Sequence, residues 1–500
     1  MLEYCPRYAY VNDFTLIQKD GVFHLFHITG ERKKYSCGLV DAKDHVGHAV
    51  STNLVNWDEQ PVVKGLSGAC FCIRHSGRYA IMCRVNKISW SDDLLDWSEP
   101  ATVNYNYDEW KEVYETPEAR NIEKGVYFSP RDPFVWHDEL NNRFLMFFCT
   151  RVSYGEIFTR GCVGLAESKD LSNWKLLPPA FGPGLHFYPE SPHVVDLNGK
   201  YHMFYHLSSE YGLRHAVSEK LEGPYEELEN MDILPGYIGA SETLKVDGKW
   251  YFLGRMLERT EYANKNRLCQ KSLSLPLLLE TGSNDQVIFK ALPVLKDFRG
   301  ECLFCSGRNK INEFWRVESG DWRINKSPAM AANQHQPIPE NSFFGSANFM
   351  PGMASLNQPC RNLDMEFDLQ IPSFNGNDCH QRGGFMFDGI TFNLDLFQKA
   401  LFCQDADRNI LAFKVLPYVK NDRYYHFRVF RNDNMTQIFM DDELLMYLPA
   451  YSDGNGRIAF VVDHGDVIIK DVSIWRLKTE DYRGFTPDDA QGRIMNGIVY

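Results

Sequence analysis

The chain has 500 residues, of which 44% are apolar and 24% are charged, and its formal net charge is −13. This length exceeds one ordinary hydrophobic core, so at least two domains are expected, and the composition excludes a disordered chain. The acidic excess leaves no general basic surface for nucleic acid or an anionic membrane, and no run reaches the roughly 20 apolar residues of a membrane span.

The N-terminal residues and the cysteines bear on the cellular compartment. Residues 1–7 lack the charged-then-apolar pattern of a secretory signal. The 13 cysteines are odd in number, and several lie within apolar, strand-like runs, as free buried thiols do. We therefore expect a cytoplasmic protein, or a secreted one if a leader has been removed. The lone Cys302–Cys305 pair has no second pair, so neither a metal nor another cofactor is predicted.

A β-hairpin recurs five times in the first half of the chain. Each copy begins with a small or acidic residue, continues through a strand to a turn, and returns through an aromatic-rich strand. The copies are residues 12–17 with 22–26, 67–73 with 78–82, 131–136 with 143–148, 190–195 with 200–205, and 241–246 with 249–253. The same hairpin repeated five times favours a five-bladed β-propeller over a layered sandwich.

A second motif follows the first four hairpins and supports the propeller. It combines a serine at a strand end, a tight polar turn, a leucine and an aromatic residue. The copies are residues 51–57, 91–97, 168–174 and, more loosely, 218–225. We predict a propeller catalytic domain over residues 1–276.

Beyond residue 276 the repeat stops. Residues 277–300 are predicted to form a linker, and residues 301–500 show short alternating strands between Gly, Asn and Asp turns. Examples are residues 363–369, 425–430 and 437–441. This pattern is typical of an antiparallel β-sandwich, and helical periodicity is scarce, so the predicted fold class is all-β.

The residues that open the five hairpins are the candidates for chemistry: Asp13, Ser67, Asp132, Glu190 and Glu242. Inner strands of a propeller line its central channel, so these side chains should converge at one end of it. One acidic residue at a strand start is most simply a cap, but several in register repel each other unless they are used. Two carboxyl groups flanking an anomeric carbon are what glycoside hydrolysis needs, and a third can bind hydroxyl groups.

Residues beside these carboxyl groups complete a sugar site. Arg131 precedes Asp132 and could bind sugar hydroxyl groups or neutralise its neighbour. Aromatic residues nearby would form the apolar walls of the site, although each could equally belong to the core. They are Tyr8, Tyr10, Phe134, Trp136, Tyr188 and Tyr237.

These motifs resemble glycoside hydrolase family 32, the β-fructofuranosidases, invertases and levanases, a family that shares a clan with family 68 and is related to family 43. The matching phrases are Asn12-Asp13, Ser67-Gly68-Ala69, Arg131-Asp132-Pro133, the Glu190 strand and Ser272-Leu273-Ser274-Leu275-Pro276. The resemblance implies a propeller followed by a sandwich and a retaining enzyme that removes terminal β-fructofuranosyl units from sucrose, fructo-oligosaccharides or fructans.

The resemblance also assigns roles to single residues. It implies Asp13 as nucleophile, Asp132 as transition-state stabiliser and Glu190 as acid/base. The contacts to the sugar would come from Asn12, Ser67, Arg131 and Glu242. The expected partner is therefore a carbohydrate, with neither nucleic acid nor membrane as partner, and the sequence leaves the oligomeric state open.

The chain departs from the family pattern at three places. Asp13 is followed by Phe14 rather than Pro-Asn-Gly, Ser191 stands where the family has cysteine, and Glu242 stands where glutamine is commoner. The run from Glu190 to His193 is similar to family 43. An inverting arabinofuranosidase or xylosidase is therefore one alternative, and a non-catalytic carbohydrate-binding propeller is another.

Overall fold

The structure is a computed structural model. The residues it describes are 3–4, 6, 11–29, 45–116, 130–207, 212–234, 238–256, 272–282, 285–324, 329–330, 337–347, 350–373, 381–432, 435–449 and 455–478. The chain divides into two compact units, residues 2–288 and residues 289–482. Both are built from strands, so the all-β prediction is confirmed.

The first unit contains a succession of small antiparallel sheets. The first sheet comprises β1 (Phe14–Lys19), β2 (Val22–Thr29), β3 (His45–Ser51) and β4 (Asp58–Val63). The second comprises β5 (Cys70–His75), β6 (Arg78–Cys83), β7 (Lys87–Ser91) and β8 (Ala101–Thr102). The third comprises β9 (Asn104–Tyr105), β10 (Arg131–Asp138), β11 (Arg143–Arg151), β12 (Gly161–Ser168) and β13 (Asn173–His186).

The remaining strands of this unit continue the series. The fourth sheet comprises β14 (Pro189–Leu197), β15 (Lys200–Leu207), β16 (Leu213–Ser218) and β17 (Glu226–Leu234). It is followed by β18 (Ile238–Val246), β19 (Lys249–Met256) and β20 (Leu277–Thr281), which pair in that order. Helix α1 (Tyr107–Val113) and a 3₁₀ turn at Ile157–Thr159 lie between strands. All five predicted hairpins are present.

Consecutive sheets share hydrophobic cores, which gives a propeller-like arrangement. Phe26 of the first sheet packs with Ile81 of the second, and Met82 of the second packs with Phe148 of the third. The third and fourth sheets share a core that includes Phe147 and Met203, and β1, β2 and β3 share one with Leu253 of β19. Burial of each such side chain stabilises the fold by about 1.5–3 kcal/mol, so the sheets hold one another in place.

The predicted serine–leucine motif forms the same turn three times. Ser168 Oγ accepts a hydrogen bond from the Leu171 amide at 3.0 Å, and Asp170 Oδ1 accepts bonds from the amides of Ser172 and Asn173. The turns at residues 51–57 and 91–97 repeat these contacts. The leucine of each turn has a positive φ between 63° and 71° and is buried, so the side-chain bonds hold a strained backbone that inserts an apolar plug.

Part of the predicted linker is regular structure. Residues 277–281 form β20, which pairs with β19 from Phe252↔Leu277 to Trp250↔Leu279. Leu277 and Leu279 are buried on one face of this strand, whereas Leu278 is half-buried. The alternating burial of a three-leucine run explains why this segment joins the sheet. A further strand, β21 (Val287–Ala291), and a 3₁₀ helix at Pro293–Phe298 follow it.

The second unit is also rich in strands. They are β22 (Arg299–Cys305), β23 (Trp315–Ser319), β24 (Asp321–Ile324), β25 (Ala329–Met330), β26 (Pro337–Ile338), β27 (Phe343–Ala347), β28 (Gly352–Leu356), β29 (Leu363–Gln370), β30 (Arg382–Phe387), β31 (Ile390–Asp395), β32 (Ala400–Gln404), β33 (Ile410–Val415), β34 (Tyr424–Arg431), β35 (Met435–Met440), β36 (Glu443–Pro449) and β37 (Ile458–Leu477). Helix α2 spans Ile311–Phe314. The predicted strands at residues 363–369, 425–430 and 437–441 lie in β29, β34 and β35.

The 20-residue strand β37 organises the second unit. Its N-terminal part pairs with β28 and β30, and its C-terminal part pairs with β22, β27 and β29. The core of this unit contains stacked aromatic pairs, including Phe367 with Phe427 and Trp315 with Phe460. Within the described ranges of both units, no helix is long and apolar enough to cross a membrane.

Candidate active site

One small cavity collects residues from the starts of five strands of the first unit. Its lining residues are Asp13, Phe14, Ala69, Cys70, Phe71, Asp132, Pro133, Phe134, Ser191, Pro192, His193, Ala240, Ser241 and Glu242. Three predicted carboxyl groups, those of Asp13, Asp132 and Glu242, therefore meet here although they are far apart in the sequence. Glu190 and Arg131 are the immediate neighbours of Ser191 and Asp132.

Asp13 lies directly before β1 and is held by the end of β2. The Asn12 amide donates to the Ile28 carbonyl, and the Ile28 amide donates to the Asp13 carbonyl, both at 2.9 Å. Arg255 of β19 approaches from the last hairpin: its Nη1 donates to Asn12 Oδ1 and lies 3.9 Å from Asp13 Oδ1. This buried arginine orients both residues, and the sequence analysis missed it. Its one signal is a charged residue at the end of an apolar strand.

Asp132 occupies a strained and buried position. It lies in a β-bulge of β10 with a φ of 55°, and the Ser191 amide donates to its Oδ2 atom at 3.1 Å. Burial and the nearby Asp13 carboxylate raise the pKa of Asp132 to about 8, against the opposing effect of Arg131. Asp132 is therefore mainly protonated at neutral pH and can donate a hydrogen bond.

Glu190 is in the opposite state. Arg131 Nη2 forms an ion pair with its Oε1 atom, and His206 Nε2 lies 3.2 Å from its Oε2 atom. Burial alone would raise the pKa of Glu190, but the contacts with His206 and Arg131 outweigh it and hold this pKa well below its usual range. Arg131 in turn packs over the Tyr188 ring at 4.7 Å. The unliganded site therefore holds Glu190 as a carboxylate.

Glu242 lies in the middle of β18, whereas the other carboxyl groups lie at or before the starts of their strands. It pairs with Leu253 in the regular part of the strand, and Thr15 Oγ1 donates to its Oε1 atom at 3.2 Å. Burial raises its pKa well above the usual range and so favours its neutral form. The raised pKa values of Asp132 and Glu242 limit the repulsion between acids that the sequence implied.

The strand registers show which residue of β14 is equivalent to Asp132 of β10. The bulge of β10 separates Arg131 from Phe134, and the bulge of β14 separates Glu190 from His193 at the same spacing. Glu190 is therefore equivalent to Arg131 rather than to Asp132, and Ser191, with a φ of 48°, is equivalent to Asp132. This one-residue offset lets Arg131 and Glu190 form an ion pair instead of presenting two acids in register.

Most of the other residues predicted for the site do not line the cavity or lie outside the described residues. Ser67 lies half-buried in the loop before β5, outside the set of residues that line the cavity, although its neighbour Ala69 is in that set. Phe134 lines the cavity, whereas Trp136 packs against Tyr201. Tyr8, Tyr10 and Tyr237 lie outside the described residues. In the part of the chain that the structure describes, no group of three or more His, Cys, Asp or Glu side chains could hold a metal ion.

Comparisons with solved structures find the same fold in other proteins. The chain has a TM-score of 0.60 with a β-fructofuranosidase of Bombyx mori at 16% identity, covering 95% of this chain and 93% of that one. It has a TM-score of 0.64 with the exo-inulinase of Aspergillus awamori at 14% identity, covering 96% and 98%. At these identities the likeness shows that the chain has the same fold as these two proteins.

Sequence comparison narrows the class to a family. Residues 4–184 match the model of the glycosyl hydrolases family 32 N-terminal domain. A levansucrase of Erwinia amylovora is 28% identical over 159 residues, a match that covers 25% of this chain and 37% of that enzyme. The chain thus spans little more than a third of this curated relative. The resemblance to glycoside hydrolase family 32 is confirmed by the match of residues 4–184 to its N-terminal domain.

Proposed function

We propose that this protein is a retaining exo-glycosidase that removes terminal β-fructofuranosyl units from sucrose or fructo-oligosaccharides. The observation that carries this proposal is the meeting of Asp13 and Asp132 at one cavity, with the Arg131–Glu190 ion pair beside Asp132, in a chain that matches the family 32 N-terminal domain. A retaining glycosidase needs two carboxyl groups in different roles. The surroundings of these acids differ, because they raise the pKa of Asp132 and lower that of Glu190.

The proposed mechanism assigns one role to each acid. Asp13 attacks the anomeric carbon, and Glu190, protonated for this step, gives its proton to the leaving oxygen. Water then hydrolyses the fructosyl-enzyme while Glu190, now a carboxylate, takes a proton from it. Protonated Asp132 donates a hydrogen bond to a sugar hydroxyl and stabilises the transition state. Because the free site holds Glu190 ionised, the first step is favoured at acid pH.

The remaining residues of the site would hold the sugar. We propose that Asn12, Ser67, Arg131 and Glu242 contact its hydroxyl groups. Arg255 donates a hydrogen bond to the side-chain amide oxygen of Asn12, which supports a fixed orientation of this side chain before the sugar binds. Among the solved relatives by fold, the Bombyx mori enzyme has a complex with sucrose, and a fructan 1-exohydrolase from Cichorium intybus has one with 1-kestose. We propose the same chemical class of substrate for this chain.

We further propose five blades for the first unit and a β-sandwich for the second. Packing of β18 against both β14 and β1 supports closure of a ring by the last hairpin. Hydrogen bonds from Thr15 to Glu242 and from Arg255 to Asn12 tie the same hairpin to the first sheet. In the second unit, the two sets of partners along β37 support two facing sheets that share one long strand.

We also propose a reducing compartment, in agreement with the expected cytoplasmic location. The described cysteines of the first unit are all free and buried, namely Cys70, Cys72, Cys83, Cys149 and Cys162. Free thiols buried in this way persist where disulfides do not form. Fractionation of the source cells with an antibody against the chain would test the location.

The catalytic proposal is tested with sucrose, 1-kestose and an aryl β-fructofuranoside, with the first product anomer recorded by NMR. We expect turnover with retention and an acidic optimum. Asp13→Ala should abolish turnover, whereas Glu190→Ala should retain more activity on the aryl substrate, which needs little protonation, and should be rescued by azide. Asp58→Ala, an exposed carboxylate of the same sheet as Asp13, is the control that should behave as wild type.

Three results would contradict this proposal. An inverted product would favour the family 43-like pentosidase, which aryl arabinofuranosides and xylosides would reveal. Binding of fructosides without any turnover would favour the non-catalytic carbohydrate-binding propeller. A rise in KM with unchanged kcat in both the Asp13→Ala and Glu190→Ala variants would limit these carboxyl groups to binding.

A further inference from the structure

A buried histidine completes the surroundings of Glu190. His206 lies on β15 directly opposite Glu190 of β14, and only 3% of its surface is exposed. Its Nε2 atom lies 3.2 Å from Glu190 Oε2, while Arg131 contacts Oε1. Both carboxylate oxygens of Glu190 are therefore engaged from two different strands before any substrate binds.

The other ring nitrogen of His206 defines its hydrogen-bonding state. Nδ1 is buried and has no hydrogen-bond partner among the described residues. A proton on Nδ1 would be a buried donor without an acceptor, which costs free energy. A proton on Nε2 avoids this cost, so His206 Nε2 is the donor to the Glu190 carboxylate.

The charged and titratable side chains around this pair come from every neighbouring element. They are Arg131 and Asp132 on β10, Cys149 on β11, Asp13 ahead of β1 and Glu242 on β18. On β16, Arg214 pairs with Tyr205, so its side chain points to the face opposite His206. Arg131 remains charged over the working pH range. Of the two contacts to the Glu190 carboxylate, the one from His206 is therefore the one that can change.

We propose that His206 is a positioning residue that holds Glu190 as an oriented carboxylate and so sets the upper pH limit of the acid step. This inference rests on the proposed role of Glu190 as acid/base. A donor to Oε2 stabilises the ionised form, which is the form needed to activate water, and opposes the protonated form, which is needed to release the leaving group. His206 therefore favours the second step, in which water is activated, and opposes the first step, in which the leaving group is protonated.

The test compares His206→Leu and His206→Met with His206→Gln. The first two remove the donor with apolar side chains of similar size, and the third keeps a neutral N–H near the same place. We expect the alkaline limb of kcat/KM to move up by about one to two pH units in His206→Leu and His206→Met and to stay in place in His206→Gln. His202→Gln, on the same face of β15 but outside the site, is the matched control.

A second measurement is independent of turnover. Difference infrared titration follows the carboxylate band of Glu190, identified by its loss in Glu190→Gln, and should show the same upward shift in the two apolar variants. This readout holds even if the protein does not cleave fructosides, so failure of the inference and failure of the proposed function are distinguishable. An unmoved Glu190 titration in both apolar variants, or an equal shift in His206→Gln, would overturn the proposal.

Discussion

At the scale of single residues, the site is defined by acids whose surroundings drive their protonation states apart. Asp132 is held protonated at neutral pH by burial and by the Asp13 carboxylate. Glu190, on β14 of the next sheet, is held ionised by His206 and Arg131 despite its burial. The positive φ of Asp132 and of Ser191 adds backbone strain at the same place. Such strain is tolerated because the surrounding strands fix both bulges.

Replacing Asp132 should reveal how much its raised pKa lowers the free energy of unfolding. The folded protein binds a proton at Asp132 up to about pH 8, whereas the unfolded chain releases it near its ordinary pKa. This residue therefore lowers the free energy of unfolding as pH rises between these values, by up to about 1.4 kcal/mol per pH unit. We expect Asp132→Asn to stabilise the protein in urea titrations, more at pH 8 than at pH 5.

A control for this prediction lies on the same strand. Asp138 is also buried, but its bonds with Asn141 and Arg143 outweigh the effect of burial and lower its pKa. Asp138→Asn should therefore destabilise the protein at neutral pH, the opposite sign to Asp132→Asn. Equal stability of Asp132→Asn and wild type at both pH values would show that Asp132 is ionised in the folded protein.

At the scale of elements, the repeated turn after the third strand of a sheet is the clearest structural unit. Its serine and Asx side chains satisfy the amides of a turn whose leucine has a positive φ, and the leucine fills the space between sheets. In the third copy, Trp174 Nε1 also donates to the Leu171 carbonyl at 2.9 Å. The looser fourth copy keeps the serine bond, from Lys220 N to Ser218 Oγ, and the aromatic bond, from Tyr225 to the Leu221 carbonyl.

Loss of the serine hydroxyl should destabilise one such turn. Ser168→Ala leaves the amides of Asp170 and Leu171 without their acceptor, so we expect a loss of about 1 kcal/mol in the free energy of unfolding. Lys169→Ala, an exposed change in the same turn, should alter stability by less than about 0.5 kcal/mol. Indistinguishable urea midpoints for the two variants would mean that water replaces the serine contact without cost.

At the scale of the whole molecule, the two units differ in their buried histidines. Among its described residues, the first unit contains six whose pKa is lowered, in each case mainly by burial. Burial lowers the pKa of His24, that of His27 and His202 to about 4, and that of His48, His193 and His215 to about 3. In the second unit, the hydrogen bond with Asp368 instead raises the pKa of His426. Acid should therefore act differently on the two units.

The predicted outcome is early acid unfolding of the first unit. Histidines that are neutral when folded but protonated when unfolded stabilise the fold above pH 6.5, and this stability is lost as pH falls toward 4. Asp132 and Glu242 have the opposite effect on stability, but these two groups are outnumbered by the six histidines. Hydrogen exchange followed by mass spectrometry should show β2, β3, β15 and β16 losing protection between pH 6.5 and 4 before β29 and β34 do. Simultaneous loss in both units would contradict this prediction.

Much of the architecture could be read from local sequence. Each hairpin is specified by its own strand periodicity and turn residues, and the serine–leucine turn by bonds within seven residues, so these predictions were confirmed. The Arg131-Asp132-Pro133 phrase pointed to the family for the same reason. The sequence did not predict strand β20 at residues 277–281, because a leucine run forms a strand only when a neighbouring strand, here β19, is available to pair with it.

The protonation states and the supporting residues of the site were decided by tertiary structure. The sequence marks Arg255 only as a charged residue at the end of an apolar strand and does not mark His206 at all. These residues act on Asn12 and Glu190 because β19 and β15 bring them there. The offset of Glu190 relative to Asp132 depends on bulges that cross-strand pairing defines. The sequence by itself determined which strands form and which acids open them. Tertiary structure decided which acids are charged, because a pKa depends on burial and on charges that distant strands bring within a few ångströms.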